Sequence, residues 1–308
     1  MESVYEFIYA VKTLGSFSKA ADYLHISQPA LSIAVKKLEE ELNQSIFDRR
    51  TKPAALTPAG QILFSYIEKV KLLEHNTKAE LDELDSLNSG NLIIGGTQYF
   101  TAFIFPEIIF NYKKKYPNIK IDCVEASSVR LNDLLINNEI DLMFSVKNLD
   151  RNKFSLFRGL TDYLFIAVPK NLIMNLSIKK YGLTRQIIIE KQYNDLKAIP
   201  SLKDLGSMPF ILLNEGNNLH DRSKMLFELE GIMPPVEMTL DQLTTAHYIS
   251  KSGMGATFTT GRLIAQIDDN DNLVYLKYAH PLMIRNFNIV INKSRYISNI
   301  IDAFIKMF

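Results

Sequence analysis

Apolar residues from Val4 to Gly60 recur at helical spacing in short blocks. Val4, Phe7, Ile8 and Val11 mark one face of a first amphipathic helix. A second pattern opens at Ser16 or Ser18, either of which can cap free amides, and turns Ala20, Ala21 and Leu24 inward. A third starts at Ser27, with Pro29 in a first turn where a missing N–H costs nothing. It points Leu31, Val35 and Leu38 inward and Gln28, Ser32, Ile33, Lys36 and Lys37 outward. Its end is expected near Asn43, because Asn tolerates the left-handed conformation that closes helices. Two short helices joined by so tight a turn form a helix-turn-helix. Ile46 and Phe47 then return to the core, and the polar tip 48–53, carrying Arg49, Arg50 and Lys52, precedes Leu56 and Thr57. This is the pattern of a wing, whose cations suit phosphates while the outward groups of the third helix suit a major groove. Helix spacing alone leaves a plain structural hairpin open.

Beyond Gly60 a helical pattern without glycine or proline runs to about Leu87. Leu63, Val70, Thr77 and Leu84 alternate with Tyr66, Leu73, Glu80 and Leu87 as a mostly apolar heptad seam. Such a seam predicts a partner helix, with Leu63, Tyr66, Val70, Leu73 and Leu84 as dimerisation residues. Residues 86–91 read as a linker. Strands over 92–95, 119–124 and 140–146 then alternate with helices over 105–116 and 129–138, which predicts a parallel α/β sheet. A second α/β unit follows, with strands at 163–168 and 210–213 and helices at 220–229 and 242–251. Strands at 273–276 and 286–291 and a helix at 297–308 close the chain.

Charge adds little at first sight. The net charge is +1 over 308 residues, and residues 1–58 carry seven acids against seven bases, so any DNA argument rests on where the cations sit. Cys123 is the single cysteine, which fits a reducing cytosol. Nothing resembles a signal peptide, and no apolar run approaches a membrane span, so a cytoplasmic protein with no membrane partner is expected. The five histidines are dispersed, and neither a G-x-S-x-G elbow nor a P-loop occurs; no metal site, cofactor, catalytic residue or enzyme activity is expected. Polar residues do gather after successive strands: Thr97, Gln98 and Tyr99, then Ser127 and Ser128, then Lys147. In α/β folds ligands bind at such strand ends, so these residues predict a ligand pocket suited to a small organic anion such as a carboxylate.

Phe7, Gly15-Ser16-Phe17, Ala20-Ala21, Leu24, Ser27-Gln28-Pro29-Ala30-Leu31-Ser32, Leu38-Glu39, Phe47, Arg49, Leu56-Thr57 and Ala59-Gly60 closely resemble the DNA-binding domain of LysR-type transcriptional regulators. Asn43 and Ile46 stand where that family usually has Gly and Leu, and Ile33 and Ala34 where polar readers are common. The resemblance implies an α/β protein with an N-terminal, mainly helical winged helix-turn-helix domain (1–60) and a linker helix (61–88). A two-lobed, periplasmic-binding-protein-like effector domain (91–308) completes it. Lobe I would span about 91–162 and 268–308, and lobe II about 163–267. It further implies that Ser27, Gln28, Pro29, Ser32, Ile33, Lys36, Lys37, Arg49, Arg50 and Lys52 meet double-stranded DNA. Self-association as dimer or tetramer and contact with RNA polymerase would follow. The segment 171–199 is longer than the family's usual connection, and Ile187-Ile188-Ile189 predicts ordered structure within it. The competing reading is a solute-binding module or α/β enzyme with an N-terminal helical association domain; it lacks both an export signal and a catalytic constellation.

Overall fold

The computed structural model describes residues 3–48, 51, 53–83, 90–146, 149–173, 177–205, 207–267 and 272–308, apart from the side chains of residues 79, 82 and 83. It divides into two units, residues 1–89 with 294–299, and 90–293 with 300–308.

In the first unit α1 (Ser3–Leu14), α2 (Phe17–Tyr23) and α3 (Gln28–Leu42) precede a hairpin of β1 (Phe47–Asp48) and β2 (Ala55–Leu56) and the long α4 (Pro58–Glu83). Ser16 caps α2 through the Lys19 amide, and Ser27 caps α3 through the Ala30 amide. Asn43 ends α3 at φ 49°, in the left-handed region expected of it. Ala20, Ala21, Leu31, Val35 and Leu38 are buried with Ile8, Val11, Ile46, Phe47 and Ile67 in one core. Each large side chain buried there contributes about 1.5–3 kcal/mol. Glu39 Oε1 accepts from the Ile46 amide at 2.7 Å and the Phe47 amide at 3.2 Å, which fastens the wing strand to α3. A Cβ at Gly60 would overlap the Ile46 carbonyl oxygen, so only glycine lets α4 start this close to the hairpin. Asn76 on α4 donates to the Ser294 carbonyl at 3.1 Å and accepts from the Tyr296 amide at 3.0 Å, holding segment 294–299 in this unit.

The second unit begins with β3 (Gly90–Gly96), α5 (Gln98–Phe103), α6 (Phe105–Lys115), β4 (Ile119–Glu125), α7 (Ser128–Ile136) and β5 (Leu142–Ser145). Next come the sixteen-residue β6 (Phe154–Pro169), α8 (Lys170–Ile173), α9 (Arg185–Ile189), β7 (Phe210–Leu213), α10 (Asn218–Glu230) and β8 (Val236–Leu240). The unit ends with α11 (Leu243–Lys251), β9 (Thr257–Thr260), α12 (Gly261–Gln266), β10 (Leu273–Leu276), β11 (Ile284–Asn292) and α13 (Asn299–Ile305). β3 pairs in parallel with β4 and β5, as expected. β6 and β11, however, run antiparallel to each other, and β11 runs antiparallel to β5, so the sheet is mixed rather than parallel. The reason is that the chain re-enters this sheet through β11 from the far side, against the direction of β5.

β6 belongs to two lobes. Its first part pairs with β11 through Tyr163, while Leu164–Pro169 pair with β9 and β10. The sequence reading places 268–308 in lobe I, but β10 pairs with Ile166–Pro169 and so lies in lobe II; the return to lobe I comes with β11. Segment 171–199 is ordered where described. Ile173, Ile178, Leu183, Ile188 and Ile199 are buried, and Leu183 bridges to Tyr275. No described helix is long and apolar enough to cross a membrane.

Candidate functional site

Two surfaces carry the expected chemistry. On α3, Gln28 and Ile33 are exposed, Ile33 at 67 %, while the inward residues are buried. Gln28 Nε2 donates to Ser32 Oγ at 2.9 Å, so the two polar side chains are held side by side. Lys36 and Lys37 face Glu40 at 3.5 Å and Glu41 at 4.0 Å, all four exposed. Pairs of this kind contribute only about 0.3–0.5 kcal/mol. Ser27 and Pro29 shape the start of the helix. Arg49, Arg50 and Lys52 lie outside the described residues, but Thr51 Oγ1, which donates to the Asp48 carbonyl and accepts from the Ala55 amide, organises the root of the wing.

Along α4 the expected seam is split. Leu63 packs on the core of its own unit, and Tyr66 meets Tyr5 edge-on with centroids 5.9 Å apart. Val70 is half-buried and Leu73 is 67 % exposed; Leu84 lies outside the described residues. The exposed apolar face runs instead through Ile62, Tyr66, Leu73 and Leu81. The heptad assignment passed over Ile62 and Leu81 because packing against α1 rotates part of the seam inward.

The second surface is a cleft of about 500 Å³ between the lobes of the second unit. Thr97, Gln98, Tyr99, Ser127 and Ser128 line it, so five of the six expected strand-end residues come together; Lys147 lies outside the described residues. Ser127 caps α7 through the Arg130 amide, which commits one lone pair of its hydroxyl, whereas Thr97 makes no capping bond. Lobe II contributes groups the sequence reading missed: the turn Asn214–Asn218, Gln242 at the start of α11, and the acids Glu215 and Asp241. Asn214 to Asn218 follow β7 as Thr97 to Tyr99 follow β3, so the strand-end rule could have found them.

Arg285 was not legible in that way. It sits opposite Asp162 in the β6–β11 ladder, 5 % exposed, and its Nη2 is 2.5 Å from Asp162 Oδ2. Tyr99 donates to the same oxygen at 2.6 Å and lies 3.1 Å from the Thr260 hydroxyl of lobe II. The guanidinium lies over the rings of Tyr99 at 4.5 Å and Phe287 at 5.0 Å. Burial, and then the Asp162 charge, push the Tyr99 phenol well above its ordinary value, so it remains a hydrogen-bond donor. Arg285 Nε is buried with no partner among the described residues. An orphaned buried donor of this kind costs about 1–3 kcal/mol, or more when charged, until an acceptor meets it. Among the described residues no three His, Cys, Asp or Glu side chains cluster to hold a metal ion.

Residues 5–61 match the family model for the "Bacterial regulatory helix-turn-helix protein, lysR family", and residues 85–308 match the "LysR substrate binding domain". Among curated relatives, a "Probable RuBisCO transcriptional regulator" of Emiliania huxleyi is 32% identical over 304 residues, covering 96% of this chain and 91% of its own. One of the same description from Cyanidium caldarium is 30% identical, covering 96% and 89%. Among solved structures, full-length CbnR complexed with its target DNA aligns with a TM-score of 0.62 at 17% identity, over 100% of this chain and 98% of that one. Full-length BenM aligns with a TM-score of 0.56 at 23% identity, over 100% and 96%. At these identities the structures speak for the fold alone. With a helix-turn-helix match and a substrate-domain match that together span nearly its whole length, the chain belongs to the LysR family: it is a DNA-binding transcriptional regulator with a small-molecule effector domain, not an enzyme.

Proposed function

We propose that the effector is a small monocarboxylate bound in the cleft, one oxygen meeting Arg285 Nε and the other the amides that open α7. The observation that carries this reading is that Arg285 lines the cleft while its buried Nε has no partner among the described residues. The number of charges follows from the surroundings. Arg285 is already neutralised by Asp162, and Glu125, Glu215 and Asp241 also line the cleft, so each further negative charge on a ligand meets repulsion. A carboxylate that prefers one arrangement of the lobes would shift the populations of regulator states; equal affinity for both would shift nothing. In this reading Thr97, Gln98, Ser127 and Ser128 orient the ligand. The test is a calorimetric screen of mono-, di- and phosphorylated acids against the whole chain and against a Thr97→Val, Ser128→Ala double variant. Monocarboxylates bind best and lose affinity in the variant; a ligand indifferent to both changes would put the site elsewhere.

On the DNA side, Gln28, Ser32 and Ile33 read base edges, and Lys36, Lys37 and the wing cations hold phosphates. Replacing Gln28 by Ala costs about 1–3 kcal/mol on the specific duplex and less on random DNA. Equal losses on both duplexes in a gel shift would remove Gln28 from base readout. The names of the relatives above make the promoter of the RuBisCO genes the duplex to try first, beside the chain's own upstream region. Contact with RNA polymerase, and work in the compartment that holds the DNA, belong to the same role. The exposed face of α4 pairs two chains, from which a tetramer could be built through the effector domains. Leu73→Glu places a charge in that face, where desolvation costs several kcal/mol, and sedimentation then shows monomers. An unchanged sedimentation coefficient would sink the seam.

A further inference from the structure

A second cavity, of about 430 Å³, opens in the effector unit away from the strand-end residues, and it takes one wall from the 171–199 connection. Tyr163 and Phe165 of β6 and Tyr193 of that connection form an aromatic wall. Tyr193 stands edge-on to Tyr163 at 5.8 Å and to Phe165 at 5.0 Å. Tyr278 and His280, in the link between β10 and β11, supply a second pair of rings, stacked in parallel at 5.9 Å. The volume lies within the range of about 300–1,000 Å³ usual for small-molecule sites.

The polar atoms at this cavity fall into two groups. Some are spent on structure. Lys277 Nζ donates to the carbonyls of Tyr193 and Asn194, both at 2.9 Å, and of Leu196 at 3.3 Å, pinning the connection in place. Tyr278 donates to Glu230, which lies outside the lining. Others are free. The Tyr163 and Tyr193 hydroxyls make no hydrogen bond among the described residues. His280 Nδ1 accepts from the Leu282 amide at 3.1 Å, which leaves the ring proton on Nε2 as a further donor. Burial raises the Tyr193 phenol above its ordinary value and keeps it protonated. Charge then selects the occupant. The lining holds the Lys277 ammonium, whose three bonds go to carbonyls rather than to a carboxylate, and among the described residues it holds no acid. The regulatory cleft, with Glu125, Glu215 and Asp241, has the opposite balance.

From the aromatic walls, the free donors and the uncompensated cation we infer that this cavity is a second ligand site, for a planar aromatic carboxylate of one or two rings. The rings slot between aromatic faces, and the carboxylate lies in the field of Lys277 with hydroxyl and imidazole donors at hand. The long connection thereby acquires a role: it completes the wall with Tyr193 and is itself held by Lys277.

The test uses the full chain and 2-naphthoate as probe, followed by calorimetry. Saturable one-site binding is expected, about tenfold weaker for uncharged 2-naphthalenemethanol and about tenfold weaker in a Tyr163→Phe, Tyr193→Phe double variant, the factor that corresponds to one hydrogen bond. Ala279→Trp, from an exposed position on the lining, fills the cavity and abolishes binding. Ser128→Trp, which obstructs the regulatory cleft, leaves naphthoate binding unchanged. Should Ala279→Trp fail to fold, judged by circular dichroism, the double phenylalanine variant decides. Binding retained in Ala279→Trp, binding lost in Ser128→Trp, no effect of removing both hydroxyls, or no saturable binding would each overturn the site.

Discussion

Asp162→Asn is expected to lower the stability of the effector unit by about 3–5 kcal/mol, read as a drop on the order of ten degrees in its calorimetric transition. The size follows from what is left behind. Asp162 is 3 % exposed and is the only carboxylate bonded to the Arg285 guanidinium among the described residues. Removing its charge strands a buried cation whose Nε already lacks a partner among the described residues, and weakens the bond from Tyr99. An Asp162→Asn, Arg285→Met double variant should recover much of the loss, because two apolar or neutral groups replace a half-broken pair. If the double variant were as unstable as the single, packing of the two strands rather than the charge pair would be responsible. The same network has a consequence for signalling. Tyr99 extends from lobe I to Asp162 and Thr260 where β6 passes between the lobes, so a change in lobe orientation must rearrange these bonds.

Acidification from about pH 6.5 to about pH 4 is expected to remove roughly 3 kcal/mol from the same unit through His247 alone. His247, on α11, is fully buried, with Nδ1 3.0 Å from the Thr259 hydroxyl and Nε2 without a partner among the described residues. Burial, and then the Lys251 charge, push its pKa down to about 4. Above the ordinary histidine value both folded and unfolded chains carry a neutral ring, and the stability is complete. Below it the unfolded ring takes up a proton that the folded ring refuses, so stability falls with pH until about pH 4, where the folded ring titrates as well. A His247→Gln variant has no such group, and the difference between its denaturation profile and that of the parent isolates the slope from the carboxylates. Parallel profiles would show that His247 is not the cause.

Much of this protein is written in short stretches of chain. Ser27, Pro29 and Asn43 bracket the third helix, and Leu31, Val35 and Leu38 face its core, because caps and helical periodicity act over a few residues. The strands at 210–213 and 273–276 are equally local, being apolar runs between breakers. Strand-end polar residues are legible too, since an α/β repeat fixes where its loops point; Thr97, Gln98, Tyr99, Ser127 and Ser128 meet in one cleft for that reason.

Other features depend on partners far away in the chain. β9 is four buried residues of which three are threonines. Its hydroxyls find a carbonyl at Ile211, the ring of His247 and the first turn of α12, and those partners exist only after folding. The direction of β11, which makes the sheet mixed, depends on the route the chain takes through lobe II. Arg285 and Asp162 stand 123 positions apart and become a buried pair only where β6 and β11 lie side by side. Which apolar residues of α4 face outward likewise depended on how closely α1 packs against it. Periodicity identifies a face, but only a neighbouring element decides whether that face is covered.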